Sequence, residues 1–285
     1  MNNRKAIRYA ILAALLYAVS TPFSKILMEK IPPAFLAGFL YLGAGLGMIF
    51  LIPHTTFRDN KAEHFTHSDI PYLIAMIILD IIAPILLMIS INKSSAETVS
   101  LLNNFEIAAT SVIALVIFKE RISGRLWIGI ILITLASILL SLTDISSFTF
   151  SIYSLLAIIA CICWGFENNC TRKLSHSDPV KIVIVKGLGS GTGALIVAVL
   201  SGNSLSFTPY ILLALILGFV AYGLSIFFYI RAQRYIGAAK TSAFYAFAPF
   251  ISAFISLVLF PKIPNLFFIS AFILMAIGAY LAIEK

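Results

Sequence analysis

Charged residues are scarce in this chain of 285 residues, in which Asp, Glu, Lys and Arg together make up 11%. A soluble domain carries about 25% charged residues. The hydrophobic content of 60% and the mean hydropathy of +1.01 therefore exclude an ordinary water-soluble domain. We expect lipid to be the main solvent of this protein.

Cysteine and embedded histidine are also in short supply. The only cysteines, Cys161, Cys163 and Cys170, lie in one apolar stretch, so neither a disulfide framework nor a metal site is indicated. All four histidines lie between apolar stretches, which leaves no embedded His for membrane enzymology; they are His54, His64, His67 and His176. A Walker-type phosphate loop is missing as well. We therefore expect no catalytic residues, no cofactor and no ATP-driven transport by this chain itself.

Ten apolar runs fill most of the chain. A hydrocarbon core about 30 Å thick needs about 20 residues of helix to cross it. The predicted spans are 7 to 28, 33 to 52, 70 to 91, 96 to 118, 125 to 142, 151 to 171, 180 to 200, 208 to 230, 240 to 260 and 264 to 283. The sequence therefore predicts an all-α membrane protein with ten transmembrane helices.

Basic residues alternate from one side of these spans to the other. Lys and Arg in short loops are held on the cytoplasmic side of a membrane. One side has Arg4, Lys5, Arg8, Arg58, Lys61, Lys119, Arg121, Arg125, Arg172, Lys173, Lys181, Arg231, Arg234, Lys240 and Lys285, and the other has Lys30, Lys93 and Lys262. This pattern predicts a multi-pass protein of the inner or plasma membrane with both termini in the cytoplasm. Because the basic residues flank apolar spans, they do not indicate nucleic-acid binding.

The two halves of the chain align with one another. Tyr17-Ala18 falls on Trp164-Gly165, and the glycine ladder Gly43, Gly45, Gly47 falls on Gly189, Gly191, Gly193. An odd number of spans in each unit forces the second copy to insert upside down relative to the first. We predict two inverted five-helix repeats, residues 1 to 145 and 146 to 285. The small-residue spacing of the ladders also predicts close helix packing.

On these features the chain resembles the drug/metabolite transporter superfamily, specifically its ten-helix EamA-type branch. The fourth helix of each repeat in that family typically has a Pro near its middle and an acid near its end. Pro249 and Glu120 match these features once each, whereas Ile107 and Lys262 occupy the reciprocal positions. The resemblance implies a central cavity lined by both repeats, alternating access and a tendency toward metabolite or drug efflux.

Acidic residues inside the predicted spans are candidates for substrate or proton binding, because charge in hydrocarbon is costly. Asp80 lies mid-span, four residues before Pro84, which cannot donate to its carbonyl, so we expect a kink there. No basic residue is adjacent in sequence, which favours an acid left unpaired. Glu106 shares a helix face with Asn103. Poor solvation disfavours a charged carboxylate, so either acid could carry protons. The alternative for both is bundle packing.

Glu167, Trp164 and Lys186 offer an anion, a ring and a cation, which suits a zwitterion such as an amino acid. Equally open alternatives are that Glu167 neutralises the Arg172 cluster, and that Lys186 snorkels or pairs with another acid. Lys25, near the end of its span, is expected to snorkel.

Aromatic residues near the span interiors are further candidates for the cavity wall. They are Tyr17, Tyr222 and Tyr245, with a simple core role as the alternative.

Together these features predict a secondary active transporter. We expect it to export small amino-acid-like or amphipathic metabolites by alternating access, with protons as the coupling ion. The alternatives are an uptake or nucleotide-sugar-like carrier of the same fold and, less favoured, a membrane enzyme or a non-transporting scaffold. The expected partners are a small-molecule substrate and the lipid bilayer. The sequence leaves open whether the chain forms a homodimer.

Overall fold

The computed structural model describes residues 3–51, 64–120, 123–144, 149–204, 208–261 and 263–282. Its helices are α1 (Asn3–Tyr17), α2 (Ser20–Leu27), α3 (Pro33–Leu51), α4 (Ile70–Lys93), α5 (Ala96–Leu102), α6 (Phe105–Val116), α7 (Gly124–Ser141), α8 (Ile152–Leu174), α9 (Pro179–Leu200), α10 (Tyr210–Gly218), α11 (Ser225–Ile236), α12 (Ala238–Tyr245), α13 (Phe247–Leu259) and α14 (Leu266–Ala282). A 3-10 turn, His67–Asp69, precedes α4, and a π-helical segment, Phe219–Leu224, joins α10 to α11. The strands β1 (Leu142–Asp144) and β2 (Thr149–Phe150) form a small antiparallel hairpin.

These helices form ten spans, which we number in chain order. The first is α1 with α2, the fourth α5 with α6, the eighth α10 with α11, and the ninth α12 with α13. Within the described residues, eight helical segments are long and apolar enough to cross a membrane, and the fifth and tenth spans are shorter apolar helices. Large apolar side chains such as Phe50 and Leu200 are exposed, which suits contact with lipid. The ten-span, all-α prediction for a multi-pass membrane protein is confirmed.

The packing of the spans follows the repeat. The second span packs along the seventh, and the fifth packs along the tenth. The third span packs along the sixth, and the spans that correspond to them in the other repeat, the eighth and the first, also pack together. Each of these contacts is preserved when a span is exchanged for the one five places later. This exchange relates two five-helix units and agrees with the predicted inverted repeat. The predicted boundary between residues 145 and 146 lies outside the described residues.

The glycine ladders lie at the centre of this packing. A Cβ atom on Gly187 of α9 would come within 2.4 Å of the backbone nitrogen of Gly45 on α3, so the two backbones touch. On the flanks of the ladders, Gly43 faces Leu215 of the eighth span. Gly189, which aligns with Gly43 in the second repeat, faces Ile77 of the third span. The predicted packing role of the ladders is confirmed.

The fourth and ninth spans are each broken near the middle. In the fourth span, the amide of Asn104 bonds to the carbonyl of Leu101 rather than of Ser100, so α5 and α6 are separated by one tight turn. In the ninth span the break between α12 and α13 lies at Ala246. Pro249 contributes here, because it has no N–H to donate to the carbonyl of Tyr245. Both breaks fall at mid-span.

One local expectation differs from the structure and another stays a prediction. Helix α4 continues from Ile70 to Lys93 through Pro84, and the kink expected at this proline stays a prediction. The eighth span extends beyond residue 230 to Ile236 and ends at Gly237, whose φ of +79° favours glycine. The charged residues there had suggested a loop, but Arg234 bonds to neighbouring backbone carbonyls from within the helix.

Candidate functional site

A central cavity with an empty volume of about 470 Å³ lies between the two repeats. Its wall is contributed by the first, second, fourth, sixth, seventh, eighth and ninth spans. The lining residues are Tyr17, Tyr41, Glu106, Trp164, Glu167, Asn168, Thr171, Lys186, Tyr222, Ile226, Tyr229 and Tyr245. Five of these twelve are tyrosines, so the wall combines aromatic faces with hydroxyl groups.

A buried chain of charges forms one side of this cavity. Lys186 Nζ lies 2.8 Å from Glu167 Oε1 and 3.1 Å from Asp80 Oδ2. The contact with Asp80 is an ion pair without hydrogen-bond alignment, because Oδ2 has no hydrogen-bond partner among the described residues. The Thr171 hydroxyl also donates to Glu167 Oε1. One ammonium group therefore neutralises carboxylates from both repeats.

Tyr41 connects the charges to the aromatic wall. Its hydroxyl donates to Asp80 Oδ1 at 2.8 Å and accepts from Trp164 Nε1 at 3.3 Å. Asp80 itself has no exposed surface and lies behind the cavity wall, where Tyr41 and Lys186 enclose it. The expectation of an unpaired Asp80 is therefore wrong. Its partner lies in the other repeat, which sequence adjacency could not reveal.

Glu106 has a different environment from the other two acids. It lies in the first turn of α6, the second half of the broken fourth span, and its Oε1 accepts from Asn168 Nδ2 at 2.6 Å. Among the described residues, no basic side chain lies within ion-pair distance of Glu106. It is half-buried and lines the cavity, whereas Asp80 does not. Glu106 is therefore the cavity acid for which the described residues provide no counter-ion.

Asn168 and Asn169 fix the sixth span against the fourth. Asn169 Nδ2 donates to the carbonyls of Thr110 and Gly165 at 3.0 and 2.8 Å. The missing Cβ of Gly165 allows this close approach, because such an atom would lie 2.7 Å from the Ala109 side chain. Glu106 is thereby held at a defined position in the wall.

Aromatic rings surround the remaining space. Tyr17 lies 5.5 Å from both Tyr222 and Tyr245, measured between ring centroids, and Tyr229 lies 5.0 Å from Tyr245. The Tyr222 hydroxyl accepts from Ser20 at 3.1 Å. These rings come from the first, eighth and ninth spans, so both repeats contribute to them.

Most residues predicted for the site lie together in the structure. Those that line the central cavity are Tyr17, Glu106, Trp164, Glu167, Lys186, Tyr222 and Tyr245. Asp80 lies behind the wall, and Asn103 lines a smaller neighbouring cavity instead. Their role in substrate binding stays a prediction.

Three alternatives left open by the sequence are settled by geometry. Glu167 is buried and bound to Lys186, so it does not serve to neutralise the Arg172 cluster. Lys186 is 4% exposed and pairs with acids rather than snorkelling. Lys25 does not simply snorkel, because its Nζ donates to the carbonyls of Ile91, Asn92 and Ser94 at the end of the third span.

Sequence reasoning missed five lining residues, namely Tyr41, Asn168, Thr171, Ile226 and Tyr229. Asn168 carried a usable signal, because it follows Glu167 directly and two adjacent amides are unusual in mid-membrane. Tyr41, Thr171, Ile226 and Tyr229 lie singly in apolar helices, where tyrosine, threonine and isoleucine are unremarkable. Within the described residues, no group of three His, Cys, Asp or Glu side chains is placed to hold a metal ion.

A bundle of inverted repeats around a polar cavity is typical of membrane transporters. The EamA-like transporter family model matches residues 4–142 and again residues 151–283. The chain belongs to the EamA-like transporter family, as its resemblance in sequence had indicated. It is a multi-pass membrane protein whose family members bind small-molecule substrates.

Individual relatives agree with this assignment. An uncharacterized transporter of Methanothermobacter thermautotrophicus is 22% identical over 271 residues, which cover 87% of this chain and 77% of that protein. An uncharacterized protein of Methanocaldococcus jannaschii is 30% identical over 139 residues, 49% of this chain and 98% of its own length. A crystal structure with 15% identity superimposes with a TM-score of 0.74 and covers 97% of this chain and 95% of the other. The last similarity concerns the fold alone.

Proposed function

We propose that this protein is a secondary active transporter, rather than an enzyme, that exports small amphipathic metabolites from the cytoplasm. The observation that carries the proposal is Glu106, which lies in an aromatic cavity between the repeats and has no counter-ion in the part of the chain that the structure describes. An enzyme would need side chains placed to carry out a reaction, whereas the side chains of this cavity are suited to binding. The outward direction of transport follows the efflux tendency implied by the family.

The cavity favours substrates that carry an amino group. Lys186 already contacts two carboxylates, so a substrate carboxylate would compete with Glu167 and Asp80 for it. Glu106 and the faces of Tyr17 and Tyr245 attract a cation instead. We therefore revise the zwitterion hypothesis: the amino group is the main recognition element, and amino-acid-like compounds bind chiefly through it.

Protons are the proposed coupling ion, with Glu106 as their carrier in preference to Asp80. An acid that exchanges protons must lose and regain its charge during each cycle. Asp80 is held by Lys186 and Tyr41, and protonating Asp80 would remove one of the negative charges that balance the Lys186 ammonium. Among the residues with a described position, Glu106 has only a neutral partner, Asn168, so its protonation breaks no ion pair there. Alternating access would expose this acid to one side of the membrane at a time.

The test is ligand identification followed by flux. The purified protein is screened by thermal shift against amines, amino acids and uncharged analogues, since a ligand that binds the native state raises its apparent stability. The best ligand is then assayed in proteoliposomes with and without an imposed pH gradient. We expect amine-bearing ligands to stabilise the protein and to accumulate against their gradient. If no ligand crosses the membrane faster than in empty liposomes, the transporter proposal is wrong.

A further inference from the structure

A second, smaller cavity lies between the breaks of the fourth and ninth spans. It has room for about one water-sized group. The lining residues are Tyr17, Asn103, Asn104, Glu106, Ile107, Ser242, Tyr245, Ala246 and Pro249. Tyr17, Glu106 and Tyr245 line both cavities, so the two spaces adjoin at this acid.

The polar atoms around this small cavity are mostly oxygens. Glu106 supplies a carboxylate, and Asn103 and Asn104 supply amide oxygens. Tyr245 and Pro249 also line the cavity, and the carbonyl of Tyr245 lacks its usual helical donor because proline has no N–H. None of the nine lining residues is basic. The site therefore has one negative charge and several neutral oxygen ligands.

Asn104 provides independent support for a missing ligand. It is 1% exposed, yet neither Oδ1 nor Nδ2 has a hydrogen-bond partner among the described residues. A buried amide without partners costs on the order of 1–3 kcal/mol. Because Asn104 lines the small cavity, a ligand bound there would supply the contact that the protein itself does not.

We propose that the small cavity binds a single monovalent metal cation of the size of sodium, a step that rests on the proposed transport function. Carboxylate and carbonyl oxygens are the ligands that hard cations prefer. Divalent calcium sites normally contain several carboxylates, whereas this cavity contains one. Broken helices supply the same kind of sodium ligands in other secondary transporters.

The position of Glu106 gives the ion a role in transport. The same carboxylate borders the central cavity, so a bound cation there would offset the charge that attracts the amino group of a substrate. Sodium and a proton would then compete for one acid.

The test is equilibrium binding of radioactive sodium to the purified full chain in detergent. We expect saturable binding that unlabelled sodium chloride displaces and that choline chloride at equal ionic strength does not. Asn104→Leu and Glu106→Gln should each weaken binding about tenfold or more. Asn104→Asp adds a second carboxylate and should strengthen binding, which keeps the test decisive if Asn104→Leu fails to fold.

Ser111→Ala is the matched control. Ser111 is also buried on α6, and its hydroxyl has no partner among the residues that the structure describes. It lines neither cavity, so its replacement should leave sodium binding unchanged. Absence of saturable sodium binding, or equal binding by parent, Asn104→Leu and Glu106→Gln, would overturn the assignment. Flux driven by a pH gradient in sodium-free buffer tests the transport proposal separately, so the two failures are distinguishable.

Discussion

Lys186 of the second repeat lies 3.1 Å from Asp80 of the first, nitrogen to oxygen, in the middle of the bundle. The same ammonium lies 2.8 Å from Glu167, which belongs to its own repeat. All three side chains are buried. Because unpaired charges are expensive in a poorly solvated interior, this triad fixes the third, sixth and seventh spans relative to one another.

Removing the lysine should therefore destabilise the protein. We expect Lys186→Met to cost about 3–5 kcal/mol, because it leaves two buried carboxylates without a cation. Thermal unfolding in detergent measures the loss. Combining Lys186→Met with Asp80→Asn and Glu167→Gln should restore part of the stability, since the triple variant leaves no uncompensated charge. Lys181→Met, at an exposed position on the same helix, is the control and should have little effect.

A second prediction concerns the crossing of α3 and α9. Gly187→Ala should destabilise the protein by about 1–3 kcal/mol, because its Cβ would lie 2.4 Å from the Gly45 nitrogen. Gly124→Ala is the comparison, since nothing lies within 4 Å of a Cβ at that position. Thermal unfolding of the two variants distinguishes close packing from a general effect of added methyl groups. Equal stability of both variants would contradict the close contact.

The architecture could be predicted from the sequence because its determinants are local. Apolar length identifies each span, and the ladder from Gly43 to Gly47 identifies close packing without any knowledge of the partner helix. The contact of Asp80 with Lys186 could not be predicted, because it joins residues of different repeats and depends on helix rotation. The same reason explains why Tyr41, a single tyrosine in an apolar helix, escaped notice.

The membrane orientation remains a prediction that cysteine labelling can test. In a variant without the native cysteines, Asn203→Cys should react with an impermeant thiol reagent in whole cells, and Ser68→Cys should not. Both positions are exposed in the structure, so a lack of labelling reports sidedness rather than burial. Ser177, in another loop predicted to be cytoplasmic, is buried and less suitable. The reverse labelling pattern would refute cytoplasmic termini and the direction of export that depends on them.

Trp164 should contribute to the recognition of amine-bearing ligands. Its ring lines the cavity beside Glu167, and a cation over such a ring gains about 0.5–2 kcal/mol. Trp164→Ala should therefore weaken ligand binding by about two- to thirtyfold in a thermal-shift titration. Trp164→Phe retains an aromatic face but loses the donor to Tyr41, so we expect an intermediate effect. Trp127→Ala, on the outer face of the fifth span, should bind ligand like the parent.

The final prediction separates proton coupling from substrate movement. A gradient of one pH unit supplies about 1.4 kcal/mol per proton, enough for about tenfold accumulation of a substrate exchanged for one proton. Glu106→Gln should abolish this accumulation in proteoliposomes, because its amide cannot release a proton. Exchange of labelled for unlabelled substrate without a gradient needs no net proton transfer, so it should persist, but only at higher substrate concentrations because the variant lacks a carboxylate that attracts the amino group.

Asp80→Asn provides the contrast for this experiment. It removes a buried ion-pair partner of Lys186, so we expect lower stability but an intact response to the pH gradient in the protein that remains folded. Gradient-driven accumulation by Glu106→Gln at the level of the parent would eliminate Glu106 as the proton carrier. Loss of coupling in Asp80→Asn alone would instead identify Asp80 as the proton carrier. The partners of Asp80 in the buried triad would then have to rearrange during each transport cycle.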